Sequence, residues 1–302
     1  MCRGALAGRP EDGEPGCDDF SPYYTILGEP GPRRPRPYEG YRILSDAPGN
    51  QSAAAARLAG YLADATRIAV LSGAGMSTES GIPDFRSSSG IYATVTSEEI
   101  FDLDAFWRRP ERFYAFARTF FGDMWAAAPN AGHRALVRLE REFGKEVDIA
   151  TQNIDVLHQT AGSTRVHPVH GTIETVSCLR CGAQLPTLSV RPEFDAGKVP
   201  HCACGCVWKP DIVFFGEMLP ELAVADSLVA MQRADLVLVL GTSLAVYPAA
   251  ALPGHRPRSA RLAVINLTPT SLDREADLVC REPVGIILGE ALDILAATVP
   301  SR

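Results

Sequence analysis

The chain has 302 residues, 46% of them hydrophobic and 22% charged, and a formal net charge of −7. That length exceeds a single compact core and suggests one large domain with a smaller module. The acidic balance argues against nucleic acid as a direct partner, which would need a basic face. A membrane partner is also unexpected, because no run reaches the roughly 18 to 20 uninterrupted apolar residues of a span.

Residues 1–50 are rich in Pro, Gly and charge, as in EPGPRRPRPYEG. Such a segment buries too little apolar surface to offset its ordering entropy, so a largely disordered tail is expected. Its first residues, MCRGALAGRPEDGEPG, contain no apolar h-region of a signal peptide, which leads us to expect a cytoplasmic protein. AAAARLAGYLADA, Ala53 to Ala65, predicts a helix, since Ala and Leu are strong helix formers. RIAVLS, Arg67 to Ser72, is a short apolar run ending at Gly73, as buried parallel strands do. Helical patterns follow from about 97 to 127 and from 130 to 143, then a strand over Val147 to Thr151. Asp235 to Ser243 and Arg261 to Thr268 predict two more strands, and Val284 to Ala297 a last helix. This alternation implies an α/β fold with a doubly wound parallel Rossmann-like sheet.

Five of the eight cysteines (Cys178, Cys181, Cys202, Cys204 and Cys206) cluster where the alternation is interrupted. In a cytoplasmic chain such clustering indicates a metal more often than disulfides. A small inserted metal-binding module over about 172–210 accounts for the interruption, with a helical module over about 91–127. The large domain then comprises about 51–90, 128–171 and 211–302.

The strand ending in Gly73-Ala74-Gly75 offers tight backbone turns and close approach to a pyrophosphate, with a helix N-terminus expected to follow. Ser77, Thr78 and Ser80 are placed to cap that helix or meet phosphate oxygens. The spacing departs from G-x-G-x-x-G, with Thr78 at the sixth position. The acidic residue expected about 20 residues on is missing.

Several ordered segments resemble the sirtuin family, of bacterial type. They are GAGMSTESGIPDFR (Gly73 to Arg86), TQNIDVLHQTAG (Thr151 to Gly162), VHG (Val169 to Gly171), KPDIVFFGEMLP (Lys209 to Pro220), GTSLAVYPAA (Gly241 to Ala250) and INLTPTSLDREADL (Ile265 to Leu278). The similarity spans about 53–297. It implies transfer of an acyl group from protein lysine to the ADP-ribose of NAD, with release of nicotinamide. By motif, His170 is the general base, a role that suits imidazole, whose free pKa of about 6.5 lies near working pH. His133, His158, His167, His201 and His255 lack that motif position and read as structural or surface residues.

The resemblance also implies that Asn153 and Asp155 orient the nicotinamide ribose and a water, beside Gln152, while Ile154 lines the nicotinamide pocket. Asp84, Phe85 and Arg86 match the mobile cofactor loop. Phe85 would shield the reacting carbon from water. Gly241, Thr242 and Ser243 let the cofactor approach closely. Asn266 would bind the adenine ribose in place of the missing acidic residue. Leu267, Tyr92 and the Cys280 backbone complete the cofactor set. Val213, Phe214, Phe215 and Gly216 resemble the segment that pairs with the acyl-lysine substrate as an added strand, with Phe215 walling an apolar tunnel.

Cys178 and Cys181 form a C-x2-C pair, which four-thiolate zinc sites use. The second pair departs from the family in HCACGC. Cys202 with Cys204 matches the position of the family's last ligand, and Cys202 with Cys206 competes. Members that remove acidic acyl groups carry a Tyr-x-x-Arg pair on the helix after the cofactor loop. Here Ala117 and Phe120 occupy those positions, with Tyr114 and Arg118 one residue too far apart, so acetyl or another neutral acyl group is expected. Protein ADP-ribosyl transfer and a non-catalytic NAD sensor or scaffold are the alternatives.

Overall fold

The computed structural model describes residues 50–85, 90–91 and 100–298. The expected tail, together with Arg86 and Tyr92, therefore lies outside the described residues, apart from Asn50. A six-stranded parallel sheet runs in the order β3-β2-β1-β7-β8-β9. Its strands are β1 (Arg67–Ser72), β2 (Glu146–Thr151), β3 (Val166–Pro168), β7 (Leu236–Leu240), β8 (Arg261–Ile265) and β9 (Leu278–Cys280). The chain builds outward from β1 through β2 to β3, then returns to lay β7 on the other side of β1. Strand order therefore reverses between β1 and β7, the switch point where such sheets bind ligands at their carboxyl ends.

Both faces of the sheet are covered, which is why β1, β7 and β8 read as continuous apolar runs rather than alternating ones. Ile68, Val70 and Leu238 face a core shared with helices Asn50–Asp64, Ala131–Arg141 and Val284–Thr298. Ala69, Leu71, Val237 and Val239 face the opposite core, with Met231 of helix Glu221–Arg233 and Leu252 of the 3-10 segment Ala249–His255. The helix and strand expectations over Ala53 to Ala65, Arg67 to Ser72, Val147 to Thr151 and Val284 to Ala297 all correspond to elements here, within a residue or three of their ends.

A second sheet is antiparallel, in the order β5-β4-β6, from β4 (Gly171–Ser177), β5 (Gln184–Pro186) and β6 (Lys209–Ile212). It shares an aromatic core with helices Leu103–Arg108, Pro110–Ala126 and Thr187–Asp195. Phe194 stacks on Tyr114 and Trp125, so the helical segment and the cysteine-bearing segment pack as one lobe. The helical pattern predicted over 97–127 breaks at Arg109-Pro110, where Pro starts the second helix at its first turn. Among the described residues, no helix is long and apolar enough to cross a membrane.

The loops after β1 and β7 touch through backbone alone. A Cβ on Gly241 would lie 2.3 Å from the Met76 nitrogen, and Gly241 has a φ of 58°. Gly241→Ala should therefore destabilise the fold by about 3 kcal/mol or more, combining clash with left-handed strain. Urea unfolding of the two proteins measures this.

Candidate functional site

Loops from four strand ends meet at the switch point. The Gly73 N–H donates to the Leu240 carbonyl at 3.0 Å and the Gly75 N–H to the Gly241 carbonyl at 2.8 Å. The absence of side chains at Gly73 and Gly75 thus first serves the contact with Gly241 and Thr242, which a Cβ would meet at 2.7–2.9 Å. No α-helix follows the loop at once. Two 3-10 turns, Ala74–Met76 and Thr78–Ser80, take its place, and neither has a side-chain cap. Ser77 is therefore not a cap. It is buried, and its hydroxyl donates to Asp155 Oδ2 at 2.6 Å. The exposed Thr78 hydroxyl turns back to the Gly75 carbonyl. Ser80 Oγ accepts from Asn130.

The loop after β2 is tied to the first loop through side chains. Asn153 Nδ2 donates to the Gly73 carbonyl and to Ser77 Oγ, both at 3.1 Å. Burial raises the Asp155 carboxyl above its ordinary pKa, opposed by hydrogen bonds from Ser77 and the Leu157 N–H. Gln152 Oε1 accepts from the Thr242 hydroxyl at 2.8 Å. Its Nε2 is buried without a partner among the described residues. A buried amide donor left open at strand ends fits a polar ligand, as NAD would be. Val156 and Leu244, which follow these loops, are the non-glycine residues with positive φ among those described. For β-branched Val156 that conformation is strained.

His170 lies between β3 and β4, where the parallel sheet hands over to the antiparallel one. Its Nδ1 donates to the Gln152 carbonyl at 3.1 Å, which leaves Nε2 as the lone-pair nitrogen. Burial lowers its pKa, and the bond to Gln152 partly offsets this. A neutral, oriented imidazole with a free Nε2 is the form a general base needs. Phe85 is half-buried, edge-on to Phe101 and Phe120. Ile154 packs against the same core, and Asp84 accepts from the Ile91 N–H through its carbonyl.

Asn266 follows β8 with its side chain turned inward, donating to the Thr268 carbonyl and hydroxyl. Leu267 is exposed and Ser243 half-buried. The Cys280 side chain belongs to the apolar core, where burial pushes its thiol up to about 11, and its carbonyl accepts from the Asn266 N–H.

The segment after β6 is anchored from several sides. The Val213 N–H donates to the His170 carbonyl, the Phe215 N–H to the Phe101 carbonyl, and the Phe214 N–H to Glu217 Oε2. Phe214, not Phe215, enters the aromatic core, within 5.3 Å of the Phe106 and Phe113 rings. Phe215 is 45% exposed. Gly216 sits at φ 92° in the turn closed by the Glu217 N–H on the Phe214 carbonyl. Lys209, buried, bonds Glu217 at 2.8 Å, the Ile212 and Pro210 carbonyls, and the Phe214 ring face. Sequence reasoning missed this pair. Its available signal was a lysine, one of three in the chain, inside an apolar strand.

Cys178, Cys181, Cys202 and Cys204 bring their sulfurs within 4.8 Å of one another. Two of the contacts are 3.4 and 3.5 Å. Tetrahedral zinc with bonds of about 2.3 Å needs sulfurs about 3.8 Å apart, so this set fits the ion. Against the desolvation of its site, N–H groups of Cys181 and Arg180 and the neighbouring thiols lower Cys178 to about 6, toward the thiolate a metal binds.

The Sir2 family model matches residues 73–248. The chain belongs to the Sir2 family. It is 43% identical over 243 residues to NAD-dependent protein deacetylase 1 of Geobacillus kaustophilus, covering 80% of this chain and 98% of that protein. It is 45% identical to the NAD-dependent protein deacetylase of Thermotoga maritima over 210 residues, 69% of this chain and 85% of that one. Among solved structures, a Sir2 enzyme with a deacetylated p53 peptide and 3'-O-acetyl-ADP-ribose matches with a TM-score of 0.74 at 39% identity. That match covers 78% of this chain and 96% of the other.

The Sir2 fold thus carries its four-cysteine cluster on the antiparallel lobe, away from the switch point in sequence and sheet. Cys206 stands outside the cluster of four, while its carbonyl accepts from the Cys202 N–H and closes the turn. We propose Cys178, Cys181, Cys202 and Cys204 as the zinc ligands. Cys206→Ser should keep about one zinc per chain, whereas Cys204→Ser should lose most of it and unfold the β4–β6 lobe. Metal analysis and far-UV circular dichroism read the difference.

Proposed function

We propose that this Sir2 chain is an NAD-dependent protein-lysine deacetylase, with His170 as its general base. The observation that carries this is the oriented, neutral imidazole beside the Gln152-Asn153-Ile154-Asp155 loop at the sheet's switch point. NAD supplies the ADP-ribose that accepts the acyl group and the nicotinamide that leaves. The rest of the chemistry belongs to the chain. Asn153 and Asp155, locked by Ser77, orient groups at the ribose. The open Gln152 amide binds the cofactor. Gly73, Ala74, Gly75, Thr78, Gly241, Thr242 and Ser243 give it backbone and small side chains to lie against, with Asn266 and Leu267 at its far end. Phe85, leaning on Phe101 and Phe120, excludes water that would compete with transfer. His170 Nε2 takes the ribose hydroxyl proton as the acyl group moves.

The acyl-lysine peptide docks along Val213–Gly216. The N–H groups of Val213 and Phe215 already serve the fold, so pairing falls to the remaining groups, the Val213 carbonyl and Gly216 N–H among them. Ala117 and Phe120 are buried and apolar. Arg118 is exposed, and the Tyr114 hydroxyl is committed to the Trp208 carbonyl. Helix Pro110–Ala126 therefore offers no Tyr–Arg pair to a carboxylate-bearing acyl group, which supports a neutral substrate. Clustered thiols without a disulfide suit the reducing cytoplasm, where we place the protein, acting on proteins rather than on nucleic acid or membrane.

Mass spectrometry of an acetyl-lysine peptide with and without NAD tests the reading. Acetyl loss should require NAD and yield nicotinamide and O-acetyl-ADP-ribose. ADP-ribose added to protein, or NAD binding without turnover, would replace it. A succinyl peptide should turn over at least about tenfold more slowly, the cost of leaving one carboxylate unpaired. His170→Ala should lower kcat by about 100-fold or more while NAD still binds. A base with a lowered pKa stays neutral to lower pH. The acid limb of kcat/KM should therefore titrate below the ordinary imidazole value of about 6.5, and not above it.

A further inference from the structure

Beneath the two cofactor loops runs a string of buried polar side chains that the proposed reaction does not use. His133 on helix Ala131–Arg141 and His158 on helix Leu157–Ala161 are almost wholly buried. Their rings stand edge to face, with centroids 4.8 Å apart. Burial keeps both imidazoles neutral, holding His133 at about 4 and His158 well below its ordinary value.

Hydrogen bonds then fix the proton on each ring. The Asn130 N–H donates to His133 Nδ1 at 3.3 Å, so the His133 proton is on Nε2. With the Ser72 hydroxyl taken as donor to Thr151 Oγ1 at 2.9 Å, it accepts toward His158. The His158 proton is therefore on its Nε2, 2.9 Å from Ser72 Oγ. Two valences remain, a donor on His133 Nε2 and an acceptor on His158 Nδ1. Both atoms are buried, and neither has a partner among the described residues. Buried polar atoms are seldom left unpaired, and these two are complementary and on adjacent rings.

We infer that one bridging water joins His133 Nε2–H to His158 Nδ1, making the two histidines positioning residues for the cofactor site. The resulting chain runs in one proton direction from Asn130 through His133, His158 and Ser72 to Thr151. At one end Asn130 Nδ2 grips the first loop through the Met76 carbonyl at 2.8 Å and Ser80 Oγ at 3.0 Å. At the other end Thr151 Oγ1 accepts from the Asn153 N–H at 3.0 Å and fixes the second loop. The relay thus sets the spacing between the two loops that hold NAD. It rests on the NAD site proposed above, but not on deacetylation.

Ser72→Ala removes the link between His158 and Thr151 and leaves almost no cavity. The Kd for NAD by calorimetry and, with an acetyl-lysine peptide, the KM for each substrate should be compared with the unaltered protein. The NAD constants should rise about tenfold, as for the loss of one buried hydrogen bond. The peptide KM should stay within about twofold, a split that general loosening would not give. Long-range proton–nitrogen NMR of the unaltered protein at pH 7 should find both rings neutral and protonated on Nε2. A folded Ser72→Ala protein with unchanged NAD constants overturns the relay, as does an Nδ1-protonated or charged His158. If the unaltered protein binds NAD but does not deacetylate, the function reading fails while calorimetry and NMR still judge the relay. If it does not bind NAD, both fall.

Discussion

The site depends on the close approach of two bare backbones. Gly75 and Gly241 come together with a 2.8 Å hydrogen bond, and either Cβ would intrude within 3.0 Å of the other loop. β1 and β7 are paired up to Ser72 and Leu240, and at the switch point the loops they feed leave in opposite senses, so beyond the strand ends the loops need their own contact. Glycine on both sides lets the peptide groups do so. Once they are joined, Thr242 reaches Gln152, Asn153 reaches Gly73, and Ser77 reaches Asp155. Ends of three neighbouring strands become one rigid block, and the strain at Val156 and Leu244 is held by that block.

A second dependence links the block to the antiparallel lobe. His170 bonds backward to Gln152 through its ring and forward to Val213 through its carbonyl. Gly171, the next residue, passes so close to β6 that a Cβ would meet the Asp211 carbonyl at 2.0 Å. The proposed base and the proposed peptide edge are therefore set by the same two residues, His170 and Gly171. Lys209 and Glu217 stiffen that edge from behind. A buried ion pair is weak evidence of net stability, but here it draws hydrogen bonds from the turn itself, which supports a role in shape.

The central strands β1, β7 and β8 of the parallel sheet were legible because they are buried on both faces, so each appears as a nearly unbroken apolar run. The antiparallel lobe was not. β6 carries Pro210, which argues against a strand until its place at a sheet edge is known. β3, β5 and β9 are three residues each, too short for any periodicity. Helix Glu221–Arg233 also escaped the sequence reading, because its packed face is weakly marked, with the small Ala223 and polar Ser227 among its inward residues. For the site, motif resemblance pointed to His170 and the loops proposed to hold the cofactor. It could not show that Ser77 is spent on Asp155 or that Phe214, and not Phe215, is the buried ring. It also did not show that His133 and His158 are joined to the loops rather than merely packed.

Those differences have one origin. A sequence motif states which polar groups are present, whereas function depends on which of them the fold leaves unused. Ser77, Thr151, Asn153 and Asp155 are bonded to one another and to neighbouring loop groups, which fixes Asn153 and Asp155 beside the proposed ribose site. Gln152 Nε2 and His170 Nε2 are different. Among the described residues they retain open hydrogen-bonding capacity at the carboxyl ends of the strands. In a low-dielectric setting an open buried donor is costly, and at the ligand-binding end of the sheet a ligand can complete it. Gln152 and His170 are thus the open valences of the proposed site, with Asn153 and Asp155 held beside them by Ser77.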